Sequence, residues 1–215
     1  MKKYELTEET VTVYGKTLYR IRAVRDFGSV KTGEFGGYIE KEENLSHFGN
    51  AWVFGNAWVF DNAKVYDDAW VFGNAWVFDN ARVYDDTWVY GNARVYDNAW
   101  VFGNAWVFGN AKVYDDAWVC GDAKVYGDAW VSGNAEVFNT RHFFVQGPIG
   151  SRDGYVTFYR TKDDTVEVRC GCFSGSLQKF VDRVEETHGG SRYEKEYKLA
   201  AELAKVCIRL EGESR

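Results

Sequence analysis

Several things are scarce in this chain of 215 residues, and each scarcity removes a class of protein. There is a single proline, Pro148, and there are four cysteines, Cys120, Cys170, Cys172 and Cys207. Four in a chain of this length is no disulfide framework, so a reduced, cytoplasmic setting is expected. No apolar run approaches the ~18 residues of a membrane span. The opening Met1-Lys2-Lys3-Tyr4-Glu5 leads into polar residues, not into the apolar core of a secretory signal. Basic residues are also outnumbered: the net charge is −6. That argues against a surface that grips a nucleic-acid backbone directly, while it leaves a basic protein partner open. Histidine is rarer still, with only His47, His142 and His188.

Abundance lies elsewhere. Aromatic residues make up 18% of the chain, and most fall in one repeat. From Ala51 the sequence runs AWVFGN, AWVFDN, AKVYDD, AWVFGN and onward to AEVFNT, fifteen six-residue units without insertion. The third position is always Val, and the first is Ala in all but one unit, where it is Thr87. Each unit is a short extended stretch closed by a corner of Gly, Asp or Asn, residues that tolerate unusual backbone angles and form side-chain turns. Val and the aromatics favour strands. Alternation along the strand puts Ala and Val on one side and the second and fourth residues on the other. The second position takes Trp nine times, but also Lys64, Arg82, Arg94, Lys112, Lys124 and Glu136. A closed core cannot accept unpaired charges in such a slot. Val and Ala therefore point inward, and the rings point out.

Three six-residue sides make an 18-residue coil, and the longer period is visible: residues 51–68 and 69–86 differ only at Lys64 against Arg82. Five regular coils at ~4.8 Å spacing form a short prism. The expected fold is mainly β, a parallel β-helix over residues 51–140. An N-terminal β hairpin and irregular capping coil (1–50) precede it, and a small α+β domain (141–215) follows. In residues 1–50, Leu45 is expected where the repeat has its inward Ala. In the last module Gly147-Pro148-Ile149-Gly150 reads as a linker or turn. Tyr155–Arg160 and Thr165–Cys170 read as a hairpin. One helix is expected from a cap at Ser176 to His188, and a second over about Arg192–Leu210.

Residues 18 apart stack into ladders. One side carries Trp52, Trp70, Trp88 and Trp106 beside Phe54, Phe72, Tyr90 and Phe108. Such a wall exceeds the ~300–600 Å² patch usual on a monomer, and aromatic residues dominate interfaces. A homo-oligomer or partner interface is the expectation. The plainer reading is that the rings stabilise the sheets by stacking while the terminal segments drape over the rest. The corners carry acid: Asp61, Asp79, Asp97 and Asp115 form one column, and Asp68, Asp86 and Asp122 part of another. Residues 51–140 hold twelve acidic and five basic residues, a net of −7. Carboxylates in register along a rod imitate the phosphates of a duplex; alternatively they cap turns and keep the rod soluble. Calcium along the column is disfavoured, because it wants six to eight converging oxygens. No metal and no cofactor is expected.

Chemistry has few candidates. The fifteen repeats contain no His to act as the general base of a hexapeptide acyltransferase. Cys170-Gly171-Cys172-Phe173 with His188 invites a nucleophile reading, with Cys172 and His188 as weak catalytic candidates, but nothing in the sequence orients the His. The alternative places Cys172 inward as a packing residue and His188 at a helix C-terminus, where the dipole favours it.

Three stretches carry a resemblance: Asp26–Val53 (DFGSVKTGEFGGYIEKEENLSHFGNAWV), the AWVFGN-like coils, and GPIGSR (147–152) followed by GCFSGS (171–176) and His188-Gly189. On these the chain resembles hexapeptide-repeat proteins common in bacterial phages and prophages, often given a transferase label. The resemblance implies a left-handed parallel β-helix and phage origin, with no established reaction. An acidic, aromatic-faced rod of that origin suggests a non-catalytic binding scaffold in the bacterial cytoplasm. It would work by protein–protein contact, as inhibitor or decoy of a basic, nucleic-acid-handling host protein. The alternative is an acyltransferase or a Cys/His-dependent enzyme.

Overall fold

A computed structural model describes residues 2–210; Met1 and residues 211–215 of the expected terminal modules lie outside the described residues. The chain opens with β1 (Tyr4–Val13), β2 (Lys16–Ala23) and β3 (Phe35–Ile39). Fifteen two-residue strands then begin every six residues, from β4 (Trp52–Val53) to β18 (Glu136–Val137). The repeat dictates this spacing, because each Gly/Asp–Asn/Asp corner turns the chain onto the next side. The first corner residue adopts positive φ wherever it is Asp: 59° at Asp61, 56° at Asp79, 55° at Asp97 and 56° at Asp115.

Strands 18 residues apart pair in parallel and build three sheets: Trp52, Trp70, Trp88, Trp106 and Lys124 head successive strands of one of them. The result is a three-sided parallel β-solenoid. Every repeat Val is at most 1% exposed and every repeat Ala at most 2%, so the interior is a column of small branched and methyl side chains, as the charge pattern requires. At ~1.5–3 kcal/mol for each buried Val, this column is the main source of stability.

The N-terminal end is closed by the chain's own start. The first coil leaves carbonyls with no coil above them, and buried carbonyls need donors. Ala57 and Val59 receive the backbone N–H groups of Tyr38 and Glu40, at 2.9 and 3.1 Å, and Val65 that of Ser46 at 2.9 Å. The Asn44 amide serves Asp61 and Ala63, at 3.1 and 2.9 Å, and Lys3 Nζ donates to Ala51 at 2.7 Å. The capping coil is longer than the regular ones. Ile39 pairs with Val59 and Leu45 with Val65, each twenty residues on. Leu45 therefore fills a Val slot, not the Ala slot expected for it, because the two extra residues of this coil lie after it, between Leu45 and Trp52, which pairs with Trp70 at the regular spacing. The β1–β2 hairpin extends the second sheet at its edge. Val13 and Leu18 of the hairpin pack with Tyr38 and Phe60 against Trp58, Trp76 and Phe78.

The other end is closed by an antiparallel sheet of β19 (Phe143–Ile149), β20 (Gly154–Arg160), β21 (Val166–Cys170) and β22 (Phe173–Ser176). Alternation in β20 joins two cores: Tyr159 belongs to the solenoid interior, while Val156 and Phe158 face α1 (Leu177–His188) and α2 (Arg192–Cys207). Residues 147–149, expected in a linker or turn, are the end of strand β19. Pro148 is accommodated because β19 is an edge strand and its register slips between Gln146 and Ile149, where a missing N–H costs no ladder bond. Ser176 caps α1 as expected, its hydroxyl accepting from Lys179 N–H. Helix α2 stops at Cys207, short of Leu210: Ile208 turns extended and buries, and Arg209 N–H bonds to Arg141 O at 2.9 Å. Among the described residues, no helix is long and apolar enough to cross a membrane.

Candidate functional site

The first side presents its rings in two parallel columns. Trp70, Trp88 and Trp106 stack at 5.8 and 5.1 Å, within 9° of parallel. Phe72, Tyr90 and Phe108 stack at 4.7 and 5.0 Å, within 2°. These spacings follow the ~4.8 Å rise between strands, so identical side chains in register have no choice but to stack. Tyr126 continues the second column. Lys124 ends the first, its ammonium 4.5 Å from the Trp106 ring, a favourable cation–π placement. Phe54 leans on Trp70 at 5.0 Å. Stacking leaves most of these rings half-buried, yet Trp88 remains 36% and Tyr126 46% exposed.

Trp52 does not belong to this surface. It is fully buried, with Tyr4 and Phe27 packed edge-on at 6.0 and 5.2 Å. The cap folds over the first coil, a contact between distant segments that the repeat pattern does not encode. The indole Nε1 is left without a hydrogen-bond partner.

The three sides differ. The hairpin covers the upper part of the second, where Tyr14 also meets Trp76 edge-on at 6.1 Å. The third stacks Tyr66, Tyr84 and Phe102 at 4.8 and 5.1 Å, but its other column is broken by Lys64, Arg82 and Glu136. Only the first side combines two ring columns with a single charge, Lys124; the described residues cover it at its two ends alone, Tyr4 and Phe27 over Trp52 and Phe143 edge-on to Tyr126 at 5.6 Å.

The acidic corners are engaged within the rod. Asp97 Oδ2 accepts the N–H of Asp115 at 3.4 Å, and Asp115 Oδ2 that of Gly133 at 3.3 Å. Asp61 pairs with Lys16. Burial, ahead of the flanking Asp61 and Asp97 charges, pushes the Asp79 carboxyl up. Asp68 and Asp122 accept the amides of Asn50 and Asn104, at 2.6 and 3.2 Å; Asp86 is exposed. A second feature, which the sequence reading missed, is a set of amide ladders along two corners. Asn62, Asn80, Asn98 and Asp116 donate each to the next at 3.1 to 3.2 Å. Asn74, Asn92, Asn110 and Asp128 do so at 2.8 to 3.2 Å. Both end in a carboxylate, which accepts and has nothing to donate onward. The signal was present as Asn at every eighteenth residue.

None of the histidines lies on a coil face. His47 stacks on Tyr4 at 4.4 Å in the cap. His142 is buried beneath the last coil, its Nδ1 accepting the Phe138 N–H at 3.3 Å. His188 ends α1 and rests against Tyr193 and Tyr197 at 5.9 and 5.6 Å. Cys172, expected inward on the packing reading, is exposed, because it sits on the two-residue turn joining β21 to β22. It and His188 line the same cleft, with no hydrogen bond between them among the described residues. Cys170 is half-buried, and burial pushes its thiol up. Among the described residues, no three His, Cys, Asp or Glu side chains gather as a metal site.

Parallel three-sided coils with a hydrophobic bore define the chain as a β-solenoid repeat protein. Residues 75–91, 89–103 and 93–109 match the family described as YdcK beta solenoid repeat, a likeness confined to the middle coils. No curated protein matches the chain.

Proposed function

We propose that this protein is a non-catalytic scaffold that works by protein–protein contact, and that the first side of its solenoid binds a second copy of the same chain. One observation carries the reading: the ring columns Trp70–Trp106 and Phe72–Phe108 make ring contacts only within their own side among the described residues, while Trp58, Phe60, Trp76 and Phe78 of the second side pack with residues of β1 and β2. The hairpin performs on one side what a partner performs on the other.

A second copy is the occupant favoured by charge. The wall offers no carboxylate at its outward positions, so a basic partner gains nothing there, while two such walls, each charged only at Lys124 at one end, meet antiparallel with little repulsion. A two-fold axis through the wall would bring the Trp88 rings of both copies near its centre, where binding energy concentrates. The carboxylates of the corners serve the turns and keep the acidic rod soluble.

The test compares two variants by sedimentation velocity. Trp88→Glu puts a charge into the wall and is expected to give monomer. Trp118→Glu, on the third side where Trp118 is 41% exposed, is expected to leave the assembly intact. Equal behaviour of both variants and the unaltered chain contradicts the assignment of the first side.

A further inference from the structure

A cleft of about 960 Å³ opens where the second side of the solenoid meets the C-terminal domain. Three separate stretches build its wall: the turn after Gly150, the turn at Gly171–Cys172, and the end of α1 at His188. These are the non-repetitive motifs GPIGSR, GCFSGS and His188-Gly189, which the scaffold reading leaves without a role.

Charge is the notable property of this cleft. The protein is acidic overall, yet Lys112, Arg152 and Arg169 all line it, and none has a carboxylate partner among the described residues. Other cations of the C-terminal module are either paired, as Arg160 is with Glu136 and Asp164, Arg183 with Glu186 and Arg192 with Glu196, or exposed at the surface, as Arg141, Lys162, Lys179, Lys195 and Arg209 are. Arg169 is half-buried and its Nε donates to the Tyr114 hydroxyl at 2.8 Å. A phenol accepts a hydrogen bond but does not neutralise a guanidinium, and a poorly solvated cation without a counter-charge is costly. Lys112 rests over Trp130 at 4.2 Å, again without neutralisation. The one carboxylate on the lining, Asp128, is held by the Asn110 amide at 2.8 Å.

Aromatic rings stand among the rest of the lining. Tyr155 stands at the cleft 40% exposed, with Phe173 and Trp130 on the same lining. A cavity of this size is at the upper end of small-molecule sites, which span ~300–1,000 Å³, and is far too roomy for a bare inorganic anion. Guanidinium groups favour phosphate through their planar fork of donors, and aromatic faces stack planar bases. We infer that the cleft binds a small phosphorylated molecule carrying a planar ring, of the mononucleotide class, with Arg152, Arg169 and Lys112 on the phosphate and Tyr155 against the ring.

The experiment is isothermal titration of the full chain at low salt with adenosine, guanosine, cytidine and uridine 5′-monophosphates, and with inorganic phosphate. At least one nucleotide is expected to bind tenfold or more tightly than phosphate. Arg152→Glu, on an exposed turn and checked for an unchanged circular dichroism spectrum, is expected to weaken that binding at least tenfold. Tyr155→Ala is expected to weaken the nucleotide without changing phosphate. Absence of binding by every nucleotide at 5 mM, or equal binding by Arg152→Glu and the unaltered chain, overturns the site. Phosphate binding as tightly as every nucleotide overturns the ring component.

Discussion

At two positions a single polar residue is buried where its neighbours are apolar, Thr87 in the repeat and Lys3 in the cap. Thr87 occupies the inward Ala slot, is fully buried, and its Oγ1 has no hydrogen-bond partner. An unmatched buried hydroxyl costs about 1–3 kcal/mol, and replacing it with an apolar group of the same shape recovers much of this. Thr87→Val is expected to stabilise the fold by about 1–2 kcal/mol, read from the urea midpoint at unchanged slope. Lys3 is also fully buried, and burial, ahead of the nearby Arg25 charge, brings its ammonium down to about 8 from 10.5. The sign follows directly. Above pH 8 the folded chain releases a proton that the unfolded chain keeps until about 10.5, so the Lys3 contribution becomes more favourable with rising pH across that window. Stability relative to Lys3→Met is expected to rise from pH 8 to 10 at no more than about 1.4 kcal/mol per unit. A pH-independent difference between the two proteins refutes the burial of a charged Lys3.

At the scale of the elements, corners and caps behave differently. Positive φ costs a non-glycine residue about 1–2 kcal/mol. Gly91 and Gly127 both have it, at 74° and 67°. A methyl at Gly91 would also lie 3.0 Å from Gly109 O, whereas nothing lies within 4 Å of one at Gly127. Gly91→Ala is therefore expected to cost at least about 1 kcal/mol more than Gly127→Ala in the same denaturation assay. The coils were legible in the sequence because each position repeats its environment: Lys64 and Glu136 in a Trp slot were enough to turn every ring outward. Ser176 as a helix cap was legible for a local reason too. The burial of Trp52 was not, since Tyr4 and Phe27 reach it from other segments, and the twenty-residue capping coil carries no repeat to count. The strand at Phe143–Ile149 was hidden by Pro148, whose tolerance depends on lying at a sheet edge. The cleft at the domain junction draws Lys112, Arg152, Arg169 and His188 from four distant places, and only folding brings them together.

Over the whole molecule, three sheets of identical construction meet different fates, one covered by the hairpin, one broken by charges, one left as a clean aromatic wall. The net charge of −6 keeps copies apart at long range, and salt screens that repulsion while leaving apolar burial intact. Self-association is accordingly expected to strengthen as salt is raised from ~50 to ~500 mM. The most direct measurement is the molar mass from light scattering over a concentration series. A mass about twice 24.6 kDa, falling to that of one chain only on dilution, is the predicted result. A mass of 24.6 kDa at every concentration would leave the wall without its partner and contradict the account.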